Sequence, residues 1–127
     1  WPGSGADSNF PVKAFLYDNP NQLFTICTSN VVSAANTEAE VRAAVFANIA
    51  FATGNSGSTT TGISTATADL NTIATTNTLA LRIMGVQDDP ENSDFTAAGI
   101  PLIVRINNHF NAPTGSIAAA TVSTTGV

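Results

Sequence analysis

Four carboxylates crowd one short stretch of this chain, Asp88, Asp89, Glu91 and Asp94 in "QDDPENSDF", and the single histidine, His109, closes the next apolar run. Closely spaced oxygen ligands are what a calcium ion needs, and an imidazole is the commonest general base. Neither chemistry is completed by its neighbours. Counted from Asp88, a helix–loop–helix calcium loop needs Gly at its sixth position and Glu at its twelfth, where this chain has Ser93 and Gly99. Pro90 among Asp and Asn residues reads instead as a solvated turn, with short side chains bonding the nearby backbone. His109 has no second histidine and no cysteine partner, so a metal there would need carboxylates at every other position. A hydroxyl nucleophile needs a base held by a third group, and no carboxylate is spaced to orient His109. "TTTGIS" lacks the lysine and the spacing of a phosphate-binding loop. The expectation is therefore a protein without catalytic residues, cofactor or metal. "NNHF" (107–110) reads as side chains that bond across a turn or to a neighbouring subunit.

Composition narrows the classes further. The 127 residues suit one domain, and 43 % hydrophobic residues can fill a core. Charged residues make up only 10 %, well under the usual share. Thr, Ala, Asn, Ser and Gly take their place, giving surfaces that are soluble yet easily dried against another protein. The net charge is −5, and the four basic residues Lys13, Arg42, Arg82 and Arg105 stand singly. Without clustered cations, neither nucleic acid nor an anionic membrane is an expected partner. Cys27 is alone in the alternating run "QLFTIC" and reads as a small buried apolar residue, with no internal disulfide. The chain opens on Trp1 instead of Met, so an upstream segment is expected to have been removed or to lie outside this numbering.

The elements follow from pattern. Residues 1–11, "WPGSGADSNFP", read as an extended arm with Trp1 and Phe10 as anchors, and 12–127 as a single β domain. "VKAFLY" (12–17) and "QLFTICTS" (22–29) read as strands separated by the turn "DNPN"; the second is apolar on both faces and so expected to be central or covered. Thr37 and Glu40 have capping-box spacing, which predicts a helical turn or two from 37 to about 44, followed by a strand. A single long helix across 37–52 is the alternative. Residues 53–64 read as a loop and 65–78 as weak or irregular edge strand. Period-2 runs over 78–87 and 101–107 put Leu79, Leu81 and Ile83, then Leu102, Val104 and Ile106, on one face of antiparallel strands joined by a projecting loop. A weak late strand is expected at 117–122. The whole reads as an all-β barrel or sandwich of about six to eight short antiparallel strands, with at most one short helix.

The order of these pieces resembles a known kind of protein. "DNPNQLFTI", then "GNSGSTTTGIS", a Thr-rich stretch with "ADL", "LALRIMGV" leading through "DPEN" to "IVRINNHF", and a final "TGV" together resemble small virion proteins of tailed bacteriophages, the head decoration or cement proteins. The likeness spans roughly residues 16 to 110 and the terminal tripeptide; "SNVVSAANTEAEV" and the acidic loop after Val86 depart from it. The resemblance implies a non-enzymatic structural protein on the outer surface of the capsid. Its partner would be the major capsid protein, and it would be a homo-oligomer, a trimer or dimer. Trp1, Phe10 and Phe15 are then the expected contacts of the arm, with Asn108, His109 and Phe110 beside them. The rival class is a glycan-binding or adhesin-like β module of a tail fibre or cell-surface appendage, although the one Trp and one Tyr do not cluster in a loop.

Overall fold

A computed structural model describes residues 15–33, 35–55, 57–58, 60–91, 94–109 and 111 of the chain. Within them one antiparallel sheet carries five strands: β1 Leu23–Cys27, β2 Asn48–Phe51, β3 Ala68–Ala74, β4 Leu81–Val86 and β5 Pro101–Ile106. A single helix, α1 Glu38–Ala43, precedes β2. The spatial order is β1-β5-β4-β2-β3, so β1 and β3 are the two edges. The all-β, antiparallel architecture with one short helix is thus established. Instead of two facing layers there is one open sheet, whose edges touch at a parallel bridge between Thr28 and Ala68. The expected arm (1–11) and the late strand at 117–122 lie outside the described residues, as does the first half of the run 12–17.

Alternation explains the core. Leu81, Ile83, Leu102 and Val104 point to one face and are buried, joined there by Ile49, Leu70 and Val41 of the helix. Val86 should by parity lie on the opposite face from Ile83, yet both are buried. A bulge resolves this: Ile83 pairs with Val104 and Gly85 with Ile103, so β4 carries one residue more than β5 at Met84. The extra residue reverses the parity and returns Val86, opposite Leu102, to the core.

The ambiguous 37–52 segment divides as a short helix and a strand. Thr37 Oγ1 accepts from the Glu40 N–H at 3.3 Å, and the Glu40 carboxylate accepts from the Thr37 N–H at 3.1 Å. Four bonds to residues 36, 37 and 40 occupy this cap, and the Thr37 hydroxyl foremost, with the Asn36 amide next, holds the Glu40 carboxyl below its usual range. The helix stops at Ala44, and Phe46 adopts φ 74°, a left-handed conformation uncommon for a bulky residue. Two bonds keep it there: Phe46 N–H donates to Ile83 O at 2.7 Å and Ile83 N–H to Ala47 O at 3.0 Å. The chain can therefore pass from helix to strand within a few residues.

Three expectations need correction. Residues 15–17 belong to no strand, and Phe15, Leu16 and Tyr17 are exposed. β1 is neither central nor covered but an edge strand, with Phe24 and Ile26 turned inward and Leu23, Thr25 and Cys27 outward. Cys27 is accordingly exposed, because its parity is that of Thr25 and not that of Ile26.

These placements separate two substitutions. Ile83→Ala should cost about 2–5 kcal/mol in urea unfolding, since a fully buried side chain leaves a cavity. Cys27→Ala should stay within about 0.5 kcal/mol, and the wild-type thiol should react with a soluble thiol reagent in the native state.

Candidate interaction surface

The residues singled out for chemistry are occupied locally. Asp88 pairs with Arg42 at 2.7 Å, and Arg42 also holds Glu38 of its own helix at 2.7 Å. Asp89 accepts from the Glu91 N–H at 3.0 Å. Asp94 accepts from the Thr96 hydroxyl at 2.6 Å and amide at 2.8 Å, which hold its carboxyl below the usual range. These carboxylates shape a loop, and among the described residues no three His, Cys, Asp or Glu side chains are grouped to hold a metal ion. No helix among them is long and apolar enough to cross a membrane.

His109 acts within the turn after β5, and Asn108 ties that turn to the one before β4. The His109 Nδ1 accepts from the Asn111 N–H at 3.1 Å, and Asn108 Nδ2 donates to Asn77 O at 3.3 Å. Asn111 reaches on to Asp18, donating to its carbonyl at 3.4 Å and its carboxylate at 3.3 Å. Of the expected partner contacts, Phe15 stands in the open, 96 % exposed, whereas Trp1, Phe10 and Phe110 lie outside the described residues.

Three arrangements were not foreseen from the sequence. The first is a buried amide pair: Asn107 Nδ2 donates to Asn48 Oδ1 at 2.9 Å and to Leu79 O at 3.1 Å, while Asn48 Nδ2 donates to Thr76 O at 3.0 Å. It ties β2, the end of β5 and the turn before β4 together. The only sequence signal was a polar residue at the end of an apolar strand, which is ordinarily an exposed one.

The second is the clasp between the sheet edges. Buried Thr28 bonds by its amide to Ile100 O at 3.0 Å, and its hydroxyl accepts the Ile100 and Gly99 amides at 3.1 and 3.2 Å. Next to it, Ser29 N–H donates to Ala68 O at 2.8 Å. Asn30 then acts like one more strand residue, accepting from Leu70 N–H at 3.0 Å and donating to Asp69 Oδ1 at 2.8 Å. The Asn71 amide first, and Asn30 second, hold the Asp69 carboxyl below its usual range.

Beside this clasp an apolar groove of about 370 Å³ opens between β1 and the segment that leads into β3. β1 contributes Phe24, Thr25 and Ile26 to it, Phe51, Ser64 and Ala66 form the other side, and Leu81, Val104 and Ile106 belong to its lining. Tyr17 meets Phe24 edge-on, with ring centroids 6.3 Å apart.

The third is a pair of like charges. Arg82 and Arg105 stand directly opposite on β4 and β5, and among the described residues neither has a carboxylate within ion-pair distance. Arg82 is buried, with its guanidinium 5.9 Å from the Phe46 ring centroid. Burial foremost, and Arg105 next, lower its pKa. The like charges oppose each other, and the aromatic face offsets part of that cost.

Comparison with protein-family models, curated proteins and solved structures returned no match to this chain.

Two outcomes follow. Because the folded Asp69 pKa lies below its unfolded value, its stabilisation is complete above the ordinary carboxylate range and is lost as pH falls through the folded value. Asp69→Asn should therefore lose less stability than wild type between pH 7 and pH 3, measured by urea unfolding at each pH. Arg105→Gln should be neutral or stabilising by about 0.2–0.5 kcal/mol at low salt, with the difference shrinking as salt screens the repulsion.

Proposed function

We propose that this chain is a non-enzymatic structural virion protein, a capsid decoration or cement protein that binds the outer surface of a tailed-phage head and stabilises the coat lattice. The observation that carries the reading is the surface: Phe15, Leu16 and Tyr17 form a contiguous exposed apolar run next to a sheet edge with an apolar groove beside it. Large apolar groups gathered in this way mark surfaces that another protein covers. The low charge, and the resemblance of the segment order to that of head decoration proteins, support the same reading.

Mass action explains how such a protein works. A protein that binds only the assembled lattice shifts the equilibrium toward that lattice. Repeated copies on repeated sites add avidity, so that each contact can be modest. In this reading the arm, with Trp1, Phe10 and Phe15, makes the contact with the major capsid protein, and Asn108, His109 and Phe110 flank it.

The test is electron cryo-microscopy of coat-protein shells mixed with the purified chain. Regular density at a symmetry or quasi-symmetry axis is expected. Deleting residues 1–11 should abolish that density while circular dichroism still reports a folded sheet. Bare shells at saturating protein would overturn the proposal, and binding of the isolated chain to a glycan array would then favour an adhesin-like module.

A further inference from the structure

Arg82 and Arg105 are charges for which the described fold supplies no counter-ion. β4 lies inside the sheet, between β2 and β5, so Arg82 has a neighbour on each side. Asn48 stands opposite it on β2 and Arg105 on β5, with Leu23 opposite Arg105 on β1. Opposed residues share a face, here the one away from the buried Leu81 and Ile83. Asn107 N–H donates to Ala80 O, two residues along each strand, so Arg82 and Arg105 form a hydrogen-bonded pair of the ladder. Such pairs hold their Cα atoms about 5.5 Å apart. Two arginine side chains rooted at that spacing can bring both guanidinium groups onto one small ion.

Among the described residues neither guanidinium has an ion pair or a hydrogen bond. The acceptor that register places beside Arg82, Asn48 Oδ1, already accepts from Asn107 Nδ2 at 2.9 Å. Carboxylates are directed elsewhere: Arg42 takes Glu38 and Asp88, while Asp69, Asp89 and Asp94 bond nearby amides. Arg82 is nonetheless held in place, only 8 % exposed and with its guanidinium 5.9 Å from the Phe46 ring centroid. No side-chain nitrogen or oxygen among the described residues is both buried and unbonded, so the unbonded Arg82 nitrogens keep contact with solvent. The side chain is covered along its stem and open at its tip. Burial, and then Arg105, disfavour its charge and lower its pKa. Water can satisfy the N–H groups but leaves the two like charges uncancelled. An anion between them does both, and guanidinium forks match the paired oxygens of a carboxylate or a phosphate.

We propose that Arg82 and Arg105 form a binding site for one oxyanion with paired acceptor oxygens, either a small inorganic ion or a carboxylate of a partner chain. Arg82, held against Phe46, is the fixed half of the site, and Arg105 closes on the ion from the next strand. Two cations on a chain of net charge −5 suit a single anionic group and not a nucleic-acid backbone. This inference concerns the outer face of the sheet and does not rest on the capsid reading.

The test titrates the full chain with inorganic phosphate and, separately, with acetate, each against sodium chloride at equal ionic strength. The Nε–H resonances of Arg82 and Arg105, followed by NMR on wild type, should shift and saturate with the oxyanion and not with chloride. Saturation by phosphate alone assigns the site to a tetrahedral oxyanion, and saturation by acetate admits a partner's carboxylate; either supports the proposal. Two variants, checked for folding by circular dichroism, separate binding at this pair from binding elsewhere. Arg105→Gln should bind at least roughly tenfold more weakly, because it loses one charged set of donors. Arg105→Glu places a carboxylate opposite Arg82, so it should abolish the response of the Arg82 resonance and unfold at higher urea than Arg105→Gln. Wild-type resonances that respond to both oxyanions no more than to chloride, or an Arg105→Gln chain that binds as tightly as wild type, would overturn the proposal.

Discussion

Thr28 holds the architecture together because it bonds the segment entering β5 while standing opposite the start of β3. Its amide and hydroxyl engage Gly99 and Ile100, and its position brings β1 onto Ala68 at the start of β3. A buried amide left unpaired at Ile100 would cost more than its hydrogen bond nominally contributes. Apolar burial alone is directionless and would leave the edges of a five-stranded sheet free to splay. The Thr28 bonds, extended by Ser29 and Asn30, set where the sheet is closed and therefore where it stays open. On one side of this clasp Asn30 runs on beside β3, and on the other the groove stays open between β1 and the segment holding Ser64 and Ala66.

The polar interior follows the same economy. With few charged residues available, the fold spends amides and hydroxyls where others would use ion pairs. Asn48 and Asn107 fasten the turn before β4, Asn30 imitates a strand, and Thr72 donates to Asp69 O while accepting the Ala50 amide. Arg42 gathers both described ion pairs and links the helix to the acidic loop, so these carboxylates serve architecture. Arg82 is the exception, a buried cation set against Arg105 and the face of Phe46. Phe46 itself sits in a left-handed conformation maintained by its bond to Ile83 and by the bond from Ile83 to Ala47.

Much of this was legible in the chain, and the reason differs by element. Thr37 and Glu40 announced the helix because a capping box is local: two side chains satisfy two amides only a few residues away. The alternation through Leu81, Ile83, Leu102 and Val104 announced two strands and the face they bury, because side-chain parity belongs to the backbone. The acidic turn was legible for the same reason, since Asp89 and Asp94 bond amides two residues on. Strand parity alone puts Val86 on the wrong face, because a bulge at Met84 is a property of pairing and not of either strand. Cys27 was misplaced because apolar residues on both faces of β1 do not say which face the core will take.

The sequence by itself determined the fold class, the extent of most elements and the scarcity of charge, all of which depend on composition or on interactions between near neighbours. Only the tertiary structure decided the strand order, the clasp from Thr28 to Ala68, the Asn48–Asn107 lock and the juxtaposition of Arg82 with Arg105. Each of these joins residues far apart in the chain. Their side chains have many possible partners, and selection among them comes from the register in which one sheet can bury its apolar face and still satisfy its backbone.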